Sequence, residues 1–115
     1  MRWPAPPELD VAAIRAYCEQ RVPPHAREDI RVDAELDGNA VTIVERRPPW
    51  RPDLGPEWTS SPVARLRYVV RDKRWTLQWR DRNGSWHRYA DATPTADVTV
   101  LLNEIDEDPT GIFWG

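Results

Sequence analysis

The sequence predicts one α+β domain, with an N-terminal helix, a five-stranded antiparallel meander and a C-terminal helix, both helices packed on one face of the sheet. Three observations predict it. An amphipathic stretch lies near each end of the chain, alternating apolar and polar residues fill the middle, and short turn signals separate the alternating runs. All 115 residues fit a single domain, and the predicted order leaves one sheet face without a helix.

The first helix is predicted within residues 6–24, "PPELDVAAIRAYCEQRVPP", and "HARED" follows as a short turn. Pro23 and Pro24 end the helix because proline lacks the backbone N–H and clashes with the preceding turn. The apolar residues that recur at helical spacing are Val11, Ile14, Cys18 and Val22.

The last helix is predicted to begin near Thr95 or Asp97, both good N-cap residues, and to end at Asp108-Pro109. Its apolar stripe comprises Val98, Leu101, Leu102 and Ile105. The terminal "TGIFWG" holds three large apolar residues in succession, so we expect it to dock on the domain.

The first two strands form a hairpin around the turn Asp37-Gly38-Asn39, whose residues tolerate positive φ. Both plausible registers place one set of residues on the apolar side of Ile30 and Val32: Val41, Ile43, Glu45 and Arg47. Because a buried carboxylate needs a partner, Glu45 either forms an ion pair with an arginine or lines a cleft as a site acid.

The remaining strands are predicted from two further turns. A two-residue turn at Asp72-Lys73 pairs Val70 with Trp75, Tyr68 with Leu77, and Leu66 with Trp79. A tight turn at Asn83-Gly84 pairs Asp81 with Trp86, Arg80 with His87, and Gln78 with Tyr89. These registers put Trp75, Trp79 and Trp86 in the core. They put the following residues on the other face: Arg65, Arg67, Gln78, Arg80, His87 and Tyr89.

Between the hairpin and the strand beginning at Pro62 runs "RPPWRPDLGPEWT", from Arg47 to Thr59. Its four prolines favour an ordered segment, and connections of this length tend to be functional. We expect Trp50 to be buried and Trp58 to be partly exposed. Trp50, Arg51 and Trp58 are candidate contacts for a partner, because an exposed tryptophan can anchor an interface.

The charge is unevenly distributed although the net charge is only −3. Residues 46–90 carry 11 basic and 4 acidic groups, whereas residues 91–115 carry six acidic groups and no basic one. The acidic ends either pair with the basic middle inside the fold, which we favour, or leave a basic face for an anionic partner.

Several motifs together resemble a family of small bacterial proteins known only as a domain of unknown function. The motifs are Pro23-Pro24, Glu45 to Trp50 ("ERRPPW"), Ser61 to Ala64, Trp75 to Arg80 ("WTLQWR", whose arginine follows Trp79 directly, without the spacer of the family pattern), Trp86 to Tyr89, and Phe113 to Gly115. The resemblance covers nearly the whole chain. It implies a single domain and no known activity.

The sequence therefore favours a small cytoplasmic binding domain over an enzyme. No apolar run is long enough to span a membrane, the N-terminus lacks a signal-peptide core, and Cys18 is the single cysteine. His25, His87 and Cys18 lack metal-ligand spacing, and no catalytic motif or cofactor-binding glycine loop is present, so we expect no metal and no cofactor.

The expected partner is another protein or a second copy of the chain, bound through the proline- and tryptophan-rich segment and the basic sheet face, with Arg65, Arg80, His87 and Tyr89 as further candidate contacts. No membrane is expected to be involved. One alternative is a small enzyme or a binder of an anionic ligand, with Glu45, Arg47, Arg80 and His87 around a pocket. The other alternative is single-stranded nucleic-acid binding on the open sheet face, which the net acidity disfavours.

Overall fold

A computed structural model describes residues 5–49, 51, 53 and 55–115. The elements are helix α1 (Glu8–Arg21), strands β1 (Arg31–Asp37), β2 (Ala40–Arg47), β3 (Thr59–Val69), β4 (Arg74–Arg80) and β5 (Trp86–Arg88), and helix α2 (Val98–Glu107). The strands form one antiparallel sheet in the order β1-β2-β3-β4-β5, which confirms the predicted meander. No helix in these residues is both long and apolar enough to cross a membrane.

One apolar core joins both helices to the same side of the sheet. Ile14 of α1, Leu101 of α2 and Leu66 of β3 are all fully buried in it. Helix α1 begins after Pro7 and ends before Pro23, and a short 3-10 helix, Pro24–Ala26, leads toward β1. The side chains that pack inward are thus those of the predicted helical stripes, including Cys18, which is buried.

The side chains of the β1–β2 hairpin lie on the predicted faces of the sheet. Gly38 adopts a φ of 59°, so that a two-residue turn joins Asp37 to its partner Ala40. Val32 pairs with Glu45, so Glu45 does lie on the helix side. Strand β3 begins at Thr59 rather than at the predicted Pro62, and an irregularity in its pairing with β2 lies between Ile43 and Val44.

The predicted register between β3 and β4 is wrong by two residues. Tyr68 pairs with Trp75, and Leu66 pairs with Leu77. The connecting turn holds four residues instead of two, and Lys73 takes a φ of 50° within it. Because side chains alternate with a period of two, this shift leaves every residue on its predicted side.

The predicted register between β4 and β5 is wrong by one residue, which reverses the sides of β5. The pairs are Arg80 with Trp86, Trp79 with His87, and Gln78 with Arg88. The turn is longer than predicted because the Asp81 carboxylate accepts hydrogen bonds from the backbone N–H groups of Asn83 (2.8 Å) and Ser85 (2.9 Å).

This correction moves three aromatic residues. Trp86 was predicted in the core but lies half-buried on the face opposite the helices. His87 and Tyr89 were predicted on that face but lie on the helix side, where Tyr89 is buried against Phe113 with ring centroids 5.1 Å apart.

Trp75 connects the sheet to both ends of the chain. Its side chain is fully buried, and its indole Nε1 donates a 2.9 Å hydrogen bond to Oδ2 of Asp10 in α1. Its backbone exchanges two hydrogen bonds, of 2.7 and 3.0 Å, with Thr95, three residues before α2. One residue of β4 therefore positions the first turn of α1 and the approach to α2.

Helix α2 buries the predicted apolar residues, and of the two predicted N-cap residues the second, Asp97, caps it. Asp97 is the N-cap, and its carboxylate accepts from the backbone N–H of Thr99 at 3.0 Å. After the helix, Asp108 adopts a left-handed conformation, and its carboxylate accepts from the N–H groups of the last three residues: Phe113, Trp114 and Gly115. The terminal segment docks as predicted.

The bond between Trp75 and Asp10 can be tested by substitution. Asp10→Ala leaves the buried indole N–H without its acceptor, so we expect the free energy of unfolding to fall by about 1–3 kcal/mol. Asp10→Asn keeps an oxygen acceptor and should lose less. Chemical denaturation of both variants measures the difference, and equal losses would contradict a role for this hydrogen bond.

Candidate functional site: the uncovered sheet face

The sheet face opposite the helices is rich in arginine. By strand register, β3, β4 and β5 direct five arginines and one tryptophan to this face. We call this group the arginine face; it comprises Arg65, Arg67, Arg74, Arg80, Arg88 and Trp86. The predicted places of Arg65, Arg67, Gln78 and Arg80 on this side are confirmed by the pairing.

Within the described part of the chain, none of the five arginines forms an ion pair with a carboxylate. Arg65 is the most constrained of them. Its guanidinium lies 4.4 Å from the ring centroid of Trp86, and its Nε lies 3.4 Å from Thr42 Oγ1. This cation–π contact places the guanidinium over the Trp86 ring without supplying a carboxylate partner.

Arg80 is positioned by the turn that follows β4. Gly84 has a φ of 87°, and a Cβ added at Gly84 would lie 2.9 Å from Arg80 Nη2. Glycine therefore serves the turn in two ways, since it permits the backbone conformation and leaves room for the guanidinium.

A shallow cleft of about 290 Å³ lies between these side chains. It is lined by Glu35, Asp37, Thr42, Val44, Ser60, Pro62, Arg65, Arg80, Gly84 and Trp86. Val44 lies at its base and is buried outside the main core, so the uncovered face has a small apolar centre of its own.

The same face becomes acidic toward β1. Asp33, Glu35 and Asp37 point to this side, and the guanidinium of Arg46 in β2 contacts the first two. Its Nε is 3.1 Å from Asp33 Oδ2 and its Nη2 is 2.7 Å from Glu35 Oε1. The Arg46 Nε is close enough to Asp33 Oδ2 for an ion pair, but the two groups are not oriented for a hydrogen bond. The face thus presents an acidic strand at one side and arginines at the other.

The pairing of the acidic ends with the basic middle, which we favoured from the sequence, is confirmed only for the N-terminal end. Arg46 binds Asp33 and Glu35, and Arg47 binds Glu45. However, among the ion pairs of the described residues none joins the acidic segment 91–115 to an arginine. The alternative, a basic face with unpaired charge, fits this pattern better.

The proline- and tryptophan-rich segment is described in part. Trp58 is half-buried, as predicted, and the Arg31 guanidinium lies 4.2 Å from its ring centroid. Arg51 forms a 2.9 Å ion pair with Asp53. The prediction for Trp50 lies outside the described residues.

The four residues proposed to surround a pocket are not brought together. Glu45 and Arg47 lie on the helix side and form a 2.8 Å ion pair, which is the structural alternative foreseen for Glu45. Arg80 points to the opposite face, and His87 belongs to β5, about 14 Å from β2 at the usual strand spacing. Glu45 does not line the 290 Å³ cleft of the arginine face.

His87 has a separate setting. Its Nε2 lies 2.6 Å from Asp81 Oδ2, and its ring stacks on Trp79 with centroids 4.7 Å apart. The hydrogen bond from His87, followed by that from the Ser85 N–H, lowers the pKa of Asp81. The pair closes the β4–β5 turn, and so explains the register that places Trp86 on the arginine face.

Burial raises the pKa of Cys18 to about 12, so the thiolate that nucleophilic attack requires is disfavoured. Over residues 5–49, 51, 53 and 55–115, no three His, Cys, Asp or Glu side chains are grouped to hold a metal ion.

Sequence reasoning missed Arg74, Trp86 and Arg88 as members of the face. For Arg74 the available signal was its alternation with Trp75 along the strand. For the two residues of β5 it was Asp81, which precedes Asn83-Gly84 by two residues and can accept hydrogen bonds from the turn backbone. A longer turn closed by Asp81 shifts β5 by one residue.

The fold and this face define a small α+β domain with one covered and one charged, uncovered sheet surface. The chain belongs to a family described as a domain of unknown function (DUF3024), which matches residues 3–115 and confirms the family resemblance seen in the sequence. No curated protein and no solved structure shows significant similarity to the chain.

The bond between His87 and Asp81 predicts a pH-dependent contribution to stability. The pKa of Asp81 is lower in the fold than in the unfolded chain, so its ionised form stabilises the fold above the ordinary pKa of aspartate. This contribution is lost as pH falls through the lowered pKa. We expect Asp81→Asn to be less stable than the unsubstituted chain at neutral pH, with the gap closing in acid.

Denaturation midpoints across the acidic range measure this gap. Asp91→Asn provides the control, because Asp91 is exposed and lies outside the turn. A gap for Asp81→Asn that stays constant with pH would contradict the assignment.

Proposed function

We propose that the chain is a protein-binding domain and that its arginine face binds an acidic surface of a partner protein. One observation carries the proposal: five arginines without a carboxylate partner, as far as the structure is described, share one sheet face that neither helix covers. Guanidinium groups bind carboxylates with two parallel hydrogen bonds, which gives orientation as well as affinity.

The apolar centre of the face supports a specific interface over general attraction. Val44, Pro62 and Trp86 line the cleft together with Arg65 and Arg80. Interface energy is concentrated in such central apolar and aromatic contacts, with charged residues around them. Trp86, already oriented by Arg65, is the residue best placed to serve as the anchor.

The distribution of charge favours a protein partner over a nucleic acid. A polyphosphate would be attracted to the arginines but repelled by the acidic side chains of β1 on the same face. In addition, the Arg65 guanidinium occupies one side of the Trp86 ring, which a base would need for stacking. A protein surface can carry both signs of charge in a complementary arrangement.

Substitution of Arg80 and Arg88 by glutamate tests the proposal. The unsubstituted chain and the double variant are used to capture proteins from the source cells, and any protein lost with the variant is purified and titrated by calorimetry. We expect the double variant to lose about 1–3 kcal/mol of binding free energy, because two guanidinium–carboxylate contacts are replaced by repulsion. Affinity should also fall as salt rises.

The matched control is the double variant Arg71→Glu and Lys73→Glu, which makes the same charge change in the exposed β3–β4 turn. It should bind like the unsubstituted chain. If both double variants weakened binding equally, the loss would come from the change in net charge and not from the arginine face, which would contradict the proposal. An oligouridine that binds the arginine face more tightly than any captured protein would instead favour nucleic acid.

A further inference from the structure

Strand β1 forms one edge of the sheet. At the other side of the sheet β5 is only three residues long, and Thr95 bonds to the neighbouring stretch of β4. No strand among the described residues pairs with the outer side of β1, which is seven residues long. Long free edges are rare in soluble proteins because their unpaired backbone groups recruit other strands.

The hairpin geometry determines which backbone groups of β1 point outward. A two-residue turn makes Asp37 and Ala40 a hydrogen-bonded pair, so alternate residues from Asp37 onward bond to β2. The residues between them, Val32, Ala34 and Leu36, direct their N–H and C=O groups away from the sheet. The contact of Arg15 Nη1 with the Ala34 carbonyl oxygen, at 3.4 Å, agrees with this orientation and is long for a hydrogen bond.

A cleft of about 550 Å³ separates this edge from α1. Cys18 and Val22 of the helix and Val32 and Ala34 of the strand form its apolar part, and its other lining residues are charged. Beside it, Leu36 of the same strand is 48% exposed, which is unusual for a leucine within a strand of this sheet. The edge thus offers both an exposed apolar side chain and a cleft that could receive one.

We propose that β1 pairs with β1 of a second copy of this chain, antiparallel and centred on Ala34, to form a continuous ten-stranded sheet. This register lets all seven strand residues pair. Ala34 meets its own counterpart, where the small side chain permits close approach. Leu36 of each copy lies opposite Val32 of the other, so the exposed leucine meets the apolar part of the cleft.

The charges on the opposite face are compatible with this register. Arg31 of each copy lies opposite Asp37 of the other, which places two oppositely charged cross-strand pairs at the ends of the interface. Asp33 lies opposite Glu35, a pair of like charge. However, each of these carboxylates is already bound by Arg46 within its own chain. Moving the register two residues so that Ala34 pairs with Leu36 would oppose Asp33 to Asp37 and remove both favourable pairs.

The pairing would also extend the surface described above. A two-fold axis between antiparallel neighbouring strands is perpendicular to the sheet, so both arginine faces lie on the same side of the joined sheet. Two linked faces bind a partner that offers two acidic sites more tightly than either face alone. Dimerisation at β1 does not depend on the arginine face, and its test is independent of partner binding.

The test measures mass by sedimentation and light scattering over a wide range of protein concentration. We expect twice the chain mass of 13.4 kDa, with dissociation to monomer on dilution. Asp37→Arg and Arg31→Asp each create two like-charged pairs across the interface. Each should weaken the dimer about tenfold.

Mixing the two variants provides the decisive comparison. The mixed dimer restores an opposite charge at both ends, so it should form more readily than either variant alone. Asp91→Arg makes the same charge change as Asp37→Arg away from the edge and should leave the dimer unchanged. Ala34→Pro should abolish dimerisation while the fold, checked by circular dichroism, persists, because the Ala34 N–H has no partner within the sheet.

Three results would overturn the proposal. One is a monomer at every concentration. Another is a dimer that neither Asp37→Arg nor Arg31→Asp weakens, since it would use a different surface. The third is a mixture of the two variants that associates no better than each variant alone.

Discussion

The architecture depends on the buried indole of Trp75 and its hydrogen bond to Asp10. The side chain fills the centre of the core, and its N–H can be buried without cost only because α1 supplies a carboxylate 2.9 Å away. The backbone of the same residue bonds to Thr95, so the approach to α2 is fixed at the same point. Both helices are thereby held on one side of the sheet. The uncovered arginine face is a direct consequence of this arrangement.

The fold keeps most of its opposite charges apart. Residues 91–115 contain six acidic side chains and no basic one, and they form α2 and the terminal segment on the helix side. The arginines of β3 to β5 point the other way. Two of the α2 carboxylates accept hydrogen bonds from neutral tyrosines instead: Glu104 from Tyr89 at 2.9 Å, and Asp106 from Tyr17 at 3.1 Å. The five arginines of the face thus stay without a carboxylate partner among the described residues, although the net charge of the chain is negative.

Periodicity in the sequence was sufficient to predict the order of elements and most of the core. The stripes of both helices and the alternation of β1 to β4 each bury apolar side chains on one side, and this depends on local spacing alone. The contacts that tie these elements together were beyond such reasoning. Nothing in the spacing indicates that Asp10 reaches Trp75, 65 residues away, or that Asp108 binds the N–H groups of the last residues. Both depend on how the chain folds back on itself.

The candidate site was harder to predict than the fold, because a turn of one extra residue reverses the sides of a strand. The β3–β4 turn was two residues longer than expected, yet its strands kept their sides. The β4–β5 turn shifted the pairing by a single residue, and β5 then exchanged His87 for Trp86 on the uncovered face. Asp81 determines the length of the β4–β5 turn, since its carboxylate contacts both the turn backbone and His87. A side chain that touches no partner in our proposal therefore determines which aromatic residue the partner would meet.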